Sequence, residues 1–247
     1  MSNRKFVILG ERCSGTNFLE EALTHNFDIT YTTEYGNKHF FCNNNYASAN
    51  EDTIFIGIIR NPIYWLNSFS KELHHIPSIN KPLRNFLFNE FYSVFDEQPN
   101  KKSMLNFNIF SNNNNNTEII NPKDLNYLNG KKYKNIFEMR KLKNHYLMNI
   151  MPHKVKNYIL INYESLLYNY DTTLNNIQTK FELVKKNDAY VKIKNYKKSD
   201  TYNFKQQRLI TFTNELIQII WNNLDTNQEN ELGYFNGDDN SLFKVAT

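Results

Sequence analysis

Three short runs of apolar, β-prone residues constrain this chain most: Lys5–Leu9 (KFVIL), Thr53–Ile59 (TIFIGII) and Tyr158–Ile161 (YILI). Each is continuous rather than alternating, as a strand covered on both faces should be. Each gives way to a turn and then to apolar residues at helical spacing. After the first run, Phe18, Leu19, Ala22 and Leu23 mark a helix over Thr16–His25. After the second, Pro62 suits a first helical turn, and Trp65, Leu66 and Phe69 share one face. After the third, Tyr163-Glu164 leads to a helix around Thr172–Phe181. Strands alternating with helices predict an α/β three-layer sandwich with a central parallel sheet and right-handed crossovers.

Further helices are expected at 83–97, at Phe137–Met151 and at Lys205–Leu224, followed by a polar tail from Asp225. Between about 99 and 135 the periodicity fails, with Pro99, the asparagine run 112–116, Pro122 and Gly130, which reads as an insertion or mobile loop. No repeat or linker divides the 247 residues, so one domain is expected across 1–247. With 40% hydrophobic and 15% aromatic residues the chain has ample bulk for a core, which excludes global disorder. A net charge of +4 with no basic run is too mild for a nucleic-acid binder but suits an anionic ligand.

Two cysteines, Cys13 and Cys42, make no CxxC and no disulfide framework, which points to a reducing compartment and away from structural zinc. No apolar run nears the roughly 18 residues of a membrane span, and Met-Ser-Asn-Arg-Lys leaves no room for a signal-peptide core before the first strand. A soluble, cytoplasmic protein is the expectation, of unknown oligomeric state.

Gly10-Glu-Arg-Cys-Ser-Gly15-Thr16-Asn17 has the GxxxxG spacing of a phosphate-binding loop between a strand and a helix. In such loops backbone N–H groups and a helix N-terminus face an anion. Yet Thr16 stands where the ATP-binding Lys would be, and Asn17 where the Ser/Thr ligand of Mg²⁺ would be. The loop is built for an anion without a metal, and a sulfuryl group, less charged than a terminal phosphoryl, fits that.

Arg12-Cys-Ser-Gly-Thr-Asn17 resembles the 5'-phosphosulfate loop of the sulfotransferases, usually a basic residue followed by Ser-Gly-Thr-Thr. Arg60-Asn-Pro-Ile-Tyr-Trp-Leu-Asn-Ser68 resembles the family's 3'-phosphate motif, and an Arg fork with a hydroxyl suits a phosphate monoester dianion. Tyr163-Glu164-Ser-Leu resembles its strand-end Tyr-Glu-x-Leu, and Glu231-Leu-Gly-Tyr234 its C-terminal close. The four landmarks stand in family order over about 5–235. The resemblance implies a P-loop NTPase-like sulfotransferase fold and the cosubstrate 3'-phosphoadenosine-5'-phosphosulfate (PAPS), bound by Arg12, Cys13, Ser14, Gly15, Thr16, Asn17, Arg60 and Ser68. It also implies an acceptor, unidentified, and no metal.

The family's basic residue next to Ser-Gly-Thr is Cys13 here, so Arg12 is the candidate to meet the bridging oxygen. The glycine-rich basic clamp of cytosolic members is missing, with Lys197, Lys198 and Lys205 as possible substitutes. The base commonly follows the first helix. There His39 titrates near neutrality, Glu34 resembles the glutamate base of heparan-type members, and Lys38 is placed to stabilise the sulfuryl group. Two rivals stay open: a nucleotide kinase or NTPase, and a catalytically degenerate nucleotide-binding protein. Cys13 lacks the Arg six residues on that a phosphatase needs, since Leu19 stands there, and His74-His75 have no third ligand at metal spacing.

Overall fold

A computed structural model describes residues 4–49, 51–95, 110–113, 116–193, 195–196, 199–203 and 210–237. Its strands in chain order are β1 (Arg4–Leu9), β2 (Ile29–Tyr31), β3 (Ile54–Ile59), β4 (Phe110–Asn113), β5 (Asn116–Ile119), β6 (Asn157–Asn162), β7 (Asn195–Tyr196) and β8 (Ser199–Asn203). Four of them form the central sheet in the order β2-β1-β3-β6. Every neighbour pair in it is parallel, with Val7 opposite Phe55 and Ile58 opposite Ile161. The strands β4 and β5, and β7 and β8, make two separate antiparallel pairs.

The α-helices are α1 (Thr16–Asn26), α2 (Pro62–Phe69), α3 (Leu83–Phe88), α4 (Ile136–His145), α5 (Met151–Lys154), α6 (Tyr163–Tyr168), α7 (Tyr170–Phe181), α8 (Asn214–Asn223) and α9 (Thr226–Glu231). A π-helical turn, Tyr146–Ile150, joins α4 to α5. Among the described residues no helix is long and apolar enough to cross a membrane.

Both faces of the sheet are covered, as the continuous apolar strands require. Phe6, Ile8, Ile54, Ile56 and Ile58 pack with Phe18 and Leu19 of α1, Leu166 of α6 and Leu174 and Ile177 of α7. Val7, Leu9, Phe55 and Ile59 pack with Leu66 of α2, Met139 of α4 and Ile220 of α8. Each of these buried Ile, Leu and Phe side chains contributes about 1.5–3 kcal/mol on leaving water.

The chain leaves β1 for β2 on one side and then places β3 on the other. In a parallel sheet, the crevice beyond the carboxyl ends of two such strands is where ligands bind. Here that crevice is framed by the residues after Leu9 and after Ile59.

Several elements differ from the sequence expectation. The helix expected over 83–97 ends at Phe88, because the next backbone groups find partners elsewhere: the Phe91 amide donates to the Tyr133 carbonyl (2.9 Å), Val94 to His75 (2.9 Å) and Phe95 to Ile119 (3.0 Å). The last long helix begins at Asn214 rather than near 205, capped by the Thr213 side chain, and the tail expected from Asp225 instead holds α9, capped by Asp225. β2 has three residues, too few to show a period. In the irregular stretch up to 135, Ile120, Asp124, Leu125 and Tyr133 are buried, so its described part is anchored in the fold.

The C-terminal helices are tied to the end of β3 by a buried ion pair. Arg140 donates from Nε and Nη2 to the Glu229 carboxylate (2.6 and 2.7 Å), and Nη2 also donates to the Arg60 carbonyl (3.0 Å). Removing one member of a buried pair strands the other charge, at about 3–5 kcal/mol. Urea unfolding of Glu229→Ala should therefore show that loss, while Arg140→Met/Glu229→Leu should regain most of it.

Candidate functional site

The loop after β1 is shaped by two close approaches. Gly10 lies against β3, where a Cβ would come within 2.7 Å of the Ile58 carbonyl oxygen. Gly15 has φ +94°, and a Cβ there would sit 2.2 Å from Cδ2 of Tyr163. Between them Cys13 also takes a left-handed conformation, φ 64°.

The loop carbonyls are tied back by neighbours. Glu11 O accepts from the Ser14 amide (3.1 Å) and hydroxyl (2.5 Å), Arg12 O from Trp65 Nε1 (2.9 Å), and Cys13 O from Arg60 Nη1 (2.9 Å). Gly15 caps α1 without a side-chain hydrogen bond. The N-terminus of α1, with the positive end of its dipole, therefore follows directly on the loop.

Arg60 and Ser68 meet. Asn61 caps α2 by accepting from Ile63 N (3.0 Å) and Tyr64 N (3.3 Å), Pro62 enters its first turn, and Ser68 lies two turns on. Arg60 Nη1 donates to Ser68 Oγ at 3.1 Å, and the guanidinium lies 4.7 Å from the Tyr163 ring centre. Arg60 is buried and its Nε has no hydrogen-bond partner among the described residues. Nor is a carboxylate placed within salt-bridge distance of it among those residues. A buried donor left without an acceptor costs about 1–3 kcal/mol, more when charged, and calls for a missing partner.

The other two landmarks join behind this pair. Glu164 accepts from the Asn61 amide (3.0 Å) and from the Tyr234 hydroxyl (2.9 Å), and burial raises its pKa against those hydrogen bonds. Tyr163 and Glu164 thus brace the loop and the start of α2.

Arg12 is placed otherwise than a ligand for the bridging oxygen requires. Its Nε donates to Glu11 (3.0 Å), Nη1 to the His74 carbonyl (3.0 Å), and Nη2 to Ser93 Oγ (2.9 Å) and Asp124 (3.2 Å). Its guanidinium also stacks 4.6 Å from the Phe69 ring centre. Lys143 completes the cluster, donating to Glu11, to Asp124 (2.5 Å) and to the His39 carbonyl (3.0 Å), while Ser93 donates to Asp124. Burial pushes the Glu11 carboxyl up, but Lys143 and Arg12 outweigh it and hold the pKa at about 2. Burial likewise opposes the Lys143 charge, and Asp124 and Glu11 raise its pKa nonetheless.

Of His39 and Glu34, expected as the base, and Lys38, expected to stabilise the sulfuryl group, His39 and Lys38 reach the loop. The Gly10 amide donates to the Lys38 carbonyl (3.0 Å), and Lys38 Nζ donates to Asn17 Oδ1 (2.5 Å) and Glu20 (3.4 Å). His39 Nδ1 lies 2.8 Å from the Gly10 carbonyl, so it carries the proton and leaves the lone pair on Nε2. Burial lowers the His39 pKa to about 4, against the pull of that carbonyl and of Glu11.

Glu34 is exposed and pairs with Lys5 (2.6 Å). Lys5 stands four residues before the end of β1, roughly 13 Å from the loop along the strand. Burial pushes the Cys13 thiol up to about 11, so it is no activated nucleophile. His74 is exposed beside Glu72, and His75 reaches the Val94 carbonyl (3.0 Å). Among the described residues no group of three or more His, Cys, Asp or Glu is placed to hold a metal. Lys197, Lys198 and Lys205 lie outside the described residues.

Sequence reasoning passes over Asp124, which sits where the pattern fails, and Lys143. The signal for Lys143 was present. Ile136, Met139, Arg140 and Lys143 follow the i, i+3, i+4, i+7 stripe of a buried face, so two cations are written where apolar residues belong. Comparison of the chain with family models, with curated proteins and with solved structures finds no match.

The low Glu11 pKa has a consequence for acid stability. A carboxylate depressed on folding stabilises fully above its unfolded value, near 4.5, and loses that contribution as pH falls toward about 2. Urea unfolding at about pH 6 and about pH 3 should show wild type losing stability on acidification, with Glu11→Gln less stable at the higher pH and flatter between the two.

Proposed function

We propose that the protein is a sulfotransferase that moves a sulfuryl group from PAPS to a hydroxyl or amine of an acceptor, a carbohydrate, peptide or small molecule. One observation carries this reading: Arg60, hydrogen-bonded to Ser68 and to the loop at Cys13 O, keeps a buried Nε without an acceptor among the described residues. A phosphate monoester supplies what is missing, since a guanidinium fork and a hydroxyl match its oxygens. The tie through Cys13 puts that site beside the loop, as one nucleotide with phosphates at both its 3' and 5' ends requires. The fold, with a parallel sheet and a glycine-framed loop at its switch point, agrees with the P-loop NTPase-like fold that the resemblance implies.

Within this reading Gly15 to Asn17 hold the 5' group, Ser14 shaping the loop through its two hydrogen bonds to Glu11 O, and Arg60 with Ser68 holds the 3'-phosphate. PAPS brings the activated sulfuryl group. His39 Nε2 takes the acceptor proton as the acceptor oxygen or nitrogen bonds to sulfur and the sulfur–oxygen bond to the 5'-phosphate breaks. Charge then grows on the departing phosphate, where the loop amides and Lys38 stabilise it. A second reading, a nucleotide-binding protein without turnover, is favoured by the engagement of Arg12 with Glu11, Ser93 and Asp124.

Calorimetric titration separates the parts of the site. Arg60→Ala should weaken adenosine 3',5'-bisphosphate by about 2–5 kcal/mol and barely alter AMP, which lacks the 3'-phosphate. Ser68→Ala, which keeps the Arg60–Cys13 tie, should cost about 1 kcal/mol on the bisphosphate alone. If wild type binds AMP as tightly as the bisphosphate, or Arg60→Ala loses both equally, the 3'-phosphate assignment fails.

Turnover is tested by transfer of labelled sulfate to a panel of sugars, peptides and phenols. His39→Ala should lower kcat by roughly 10² to 10⁴ with bisphosphate affinity unchanged. The acid limb of kcat/KM should lie near pH 4, where the His39 imidazole titrates, rather than near an ordinary histidine value of about 6.5. No transfer to any acceptor, with tight bisphosphate binding, selects the second reading.

A further inference from the structure

We propose that Lys143 is a positioning residue for the base: its buried ammonium holds the main chain of His39 in place against the loop after β1. The inference rests on the sulfotransferase reading above and deepens it. An ammonium has three N–H donors and no acceptor. Here the three go to Glu11, to Asp124 Oδ1 (2.5 Å) and to the His39 carbonyl (3.0 Å). None is left for a ligand, so what this cation does is hold its neighbours. Core stability does not account for it, since apolar residues of similar volume often serve as well as a buried ion pair or better.

Those neighbours are what the base and the loop have in common. Glu11 directly follows Gly10, whose carbonyl accepts from His39 Nδ1 at 2.8 Å. That hydrogen bond fixes the ring only while the two backbones keep their separation. The Gly10 amide, donating to the Lys38 carbonyl (3.0 Å), holds one side of the contact. Lys143, joining Glu11 to the His39 carbonyl, holds the other. The same ammonium lies 5.9 Å from the ring centre of Phe40 and 5.7 Å from that of Phe41, so it grips three successive residues. Phe40 is also met by the Arg12 guanidinium (5.6 Å) and edge-on by the His75 ring (5.7 Å). Asp124 anchors the ammonium and accepts from Arg12 Nη2 (3.2 Å) as well, which returns the chain of contacts to the loop.

The test reads the His39 ring by ¹⁵N magnetic resonance at about pH 7, with its signals assigned through His39→Gln. Wild type should show the Nδ1–H tautomer alone. Because Lys143→Met strands two carboxylates, the variant to use is Lys143→Met/Asp124→Asn, which removes one charge of each sign and leaves Glu11 with Arg12. It should show a mixture of both tautomers. Its kcat for sulfate transfer should fall roughly ten- to a hundredfold, the scale of a misplacement of about 1 Å, with the Kd of adenosine 3',5'-bisphosphate within about threefold of wild type. Arg140→Met/Glu229→Leu, which removes a buried pair from the same helix, should keep the wild-type His39 tautomer and so controls for lost stability. A second measurement uses wild type alone and decides the matter if the double variant fails to fold. The Lys143 ammonium should exchange its protons far more slowly than that of exposed Lys156 and show a coupling across the hydrogen bond to the His39 carbonyl carbon. A pure Nδ1–H tautomer in Lys143→Met/Asp124→Asn, undiminished kcat, or a Lys143 ammonium that exchanges as fast as Lys156 overturns this inference and leaves the sulfotransferase reading standing. Failure of wild type to bind the bisphosphate, or to transfer sulfate to any acceptor, overturns both.

Discussion

The ring of Tyr163 is where three strand ends meet. Gly15, from the loop after β1, approaches one part of it so closely that a Cβ would overlap Cδ2 at 2.2 Å. Arg60, just after β3, lies with its guanidinium 4.7 Å from the ring centre. Tyr163 itself is the first residue beyond β6. A flat aromatic face accepts both a bare backbone and a cation, each attracted to it without competing for a hydrogen bond. The spacing between loop and guanidinium is thereby set by one rigid side chain with two torsions. Phe18 of α1 packs edge-on against the same ring at 6.1 Å, so the helix that presents the loop amides is fixed to the same reference.

Around this ring the molecule handles charge in two opposite ways. Glu11, Arg12, Asp124 and Lys143 form a cluster of two acids and two bases, mutually bonded and nearly dry. Such a cluster returns little net stability, because desolvation consumes most of the attraction. What it does is join six stretches of chain: the loop, the backbone at His39, the backbone at His74, Ser93, the turn at Asp124 and α4. Arg60 is the contrary case: among the described residues its hydrogen bonds go to neutral oxygens, Cys13 O and Ser68 Oγ. Glu229 neutralises Arg140, whose Nη2 donates to the Arg60 carbonyl, so the nearby guanidinium adds little repulsion at Arg60.

The parts that were legible in the sequence are the local ones. Strands β1, β3 and β6 announce themselves because burial on both faces demands continuous apolar runs, and the loop because Gly10 and Gly15 sit at fixed spacing around it. Arg60 with Ser68 was legible because eight residues on one strand-turn-helix segment bring them together whatever the rest of the chain does. The residues that depend on distant partners were not. Nothing near Asp124 says that Lys143 and Arg12 await it, and nothing in the apolar spacing of 83–97 says that Tyr133 and Ile119 will claim the backbone of Phe91 and Phe95. Arg12 was read by its neighbours in the chain, as a loop cation, whereas beyond Glu11 its partners lie 62, 81 and 112 residues away.

Glu34 and His39 show the same division inside a single segment of six residues. Both follow β2, and both have side chains suited to accept a proton, so residue type could not rank them. The backbone does. Gly10 N binds the carbonyl of Lys38, which carries this stretch past the end of β1 and sets the next residue, His39, against the Gly10 carbonyl. Four residues before Lys38 the chain is still beside the body of the strand, where Glu34 pairs with Lys5 in water. An exposed pair of that kind contributes about 0–1 kcal/mol and leaves its carboxylate away from the loop. The hydrogen bond to Gly10 does two things for His39: it fixes which nitrogen bears the proton, and it couples the imidazole to the loop itself. Under the proposed function, a base coupled in this way would move with the anion site, so that proton removal and anion stabilisation share one frame.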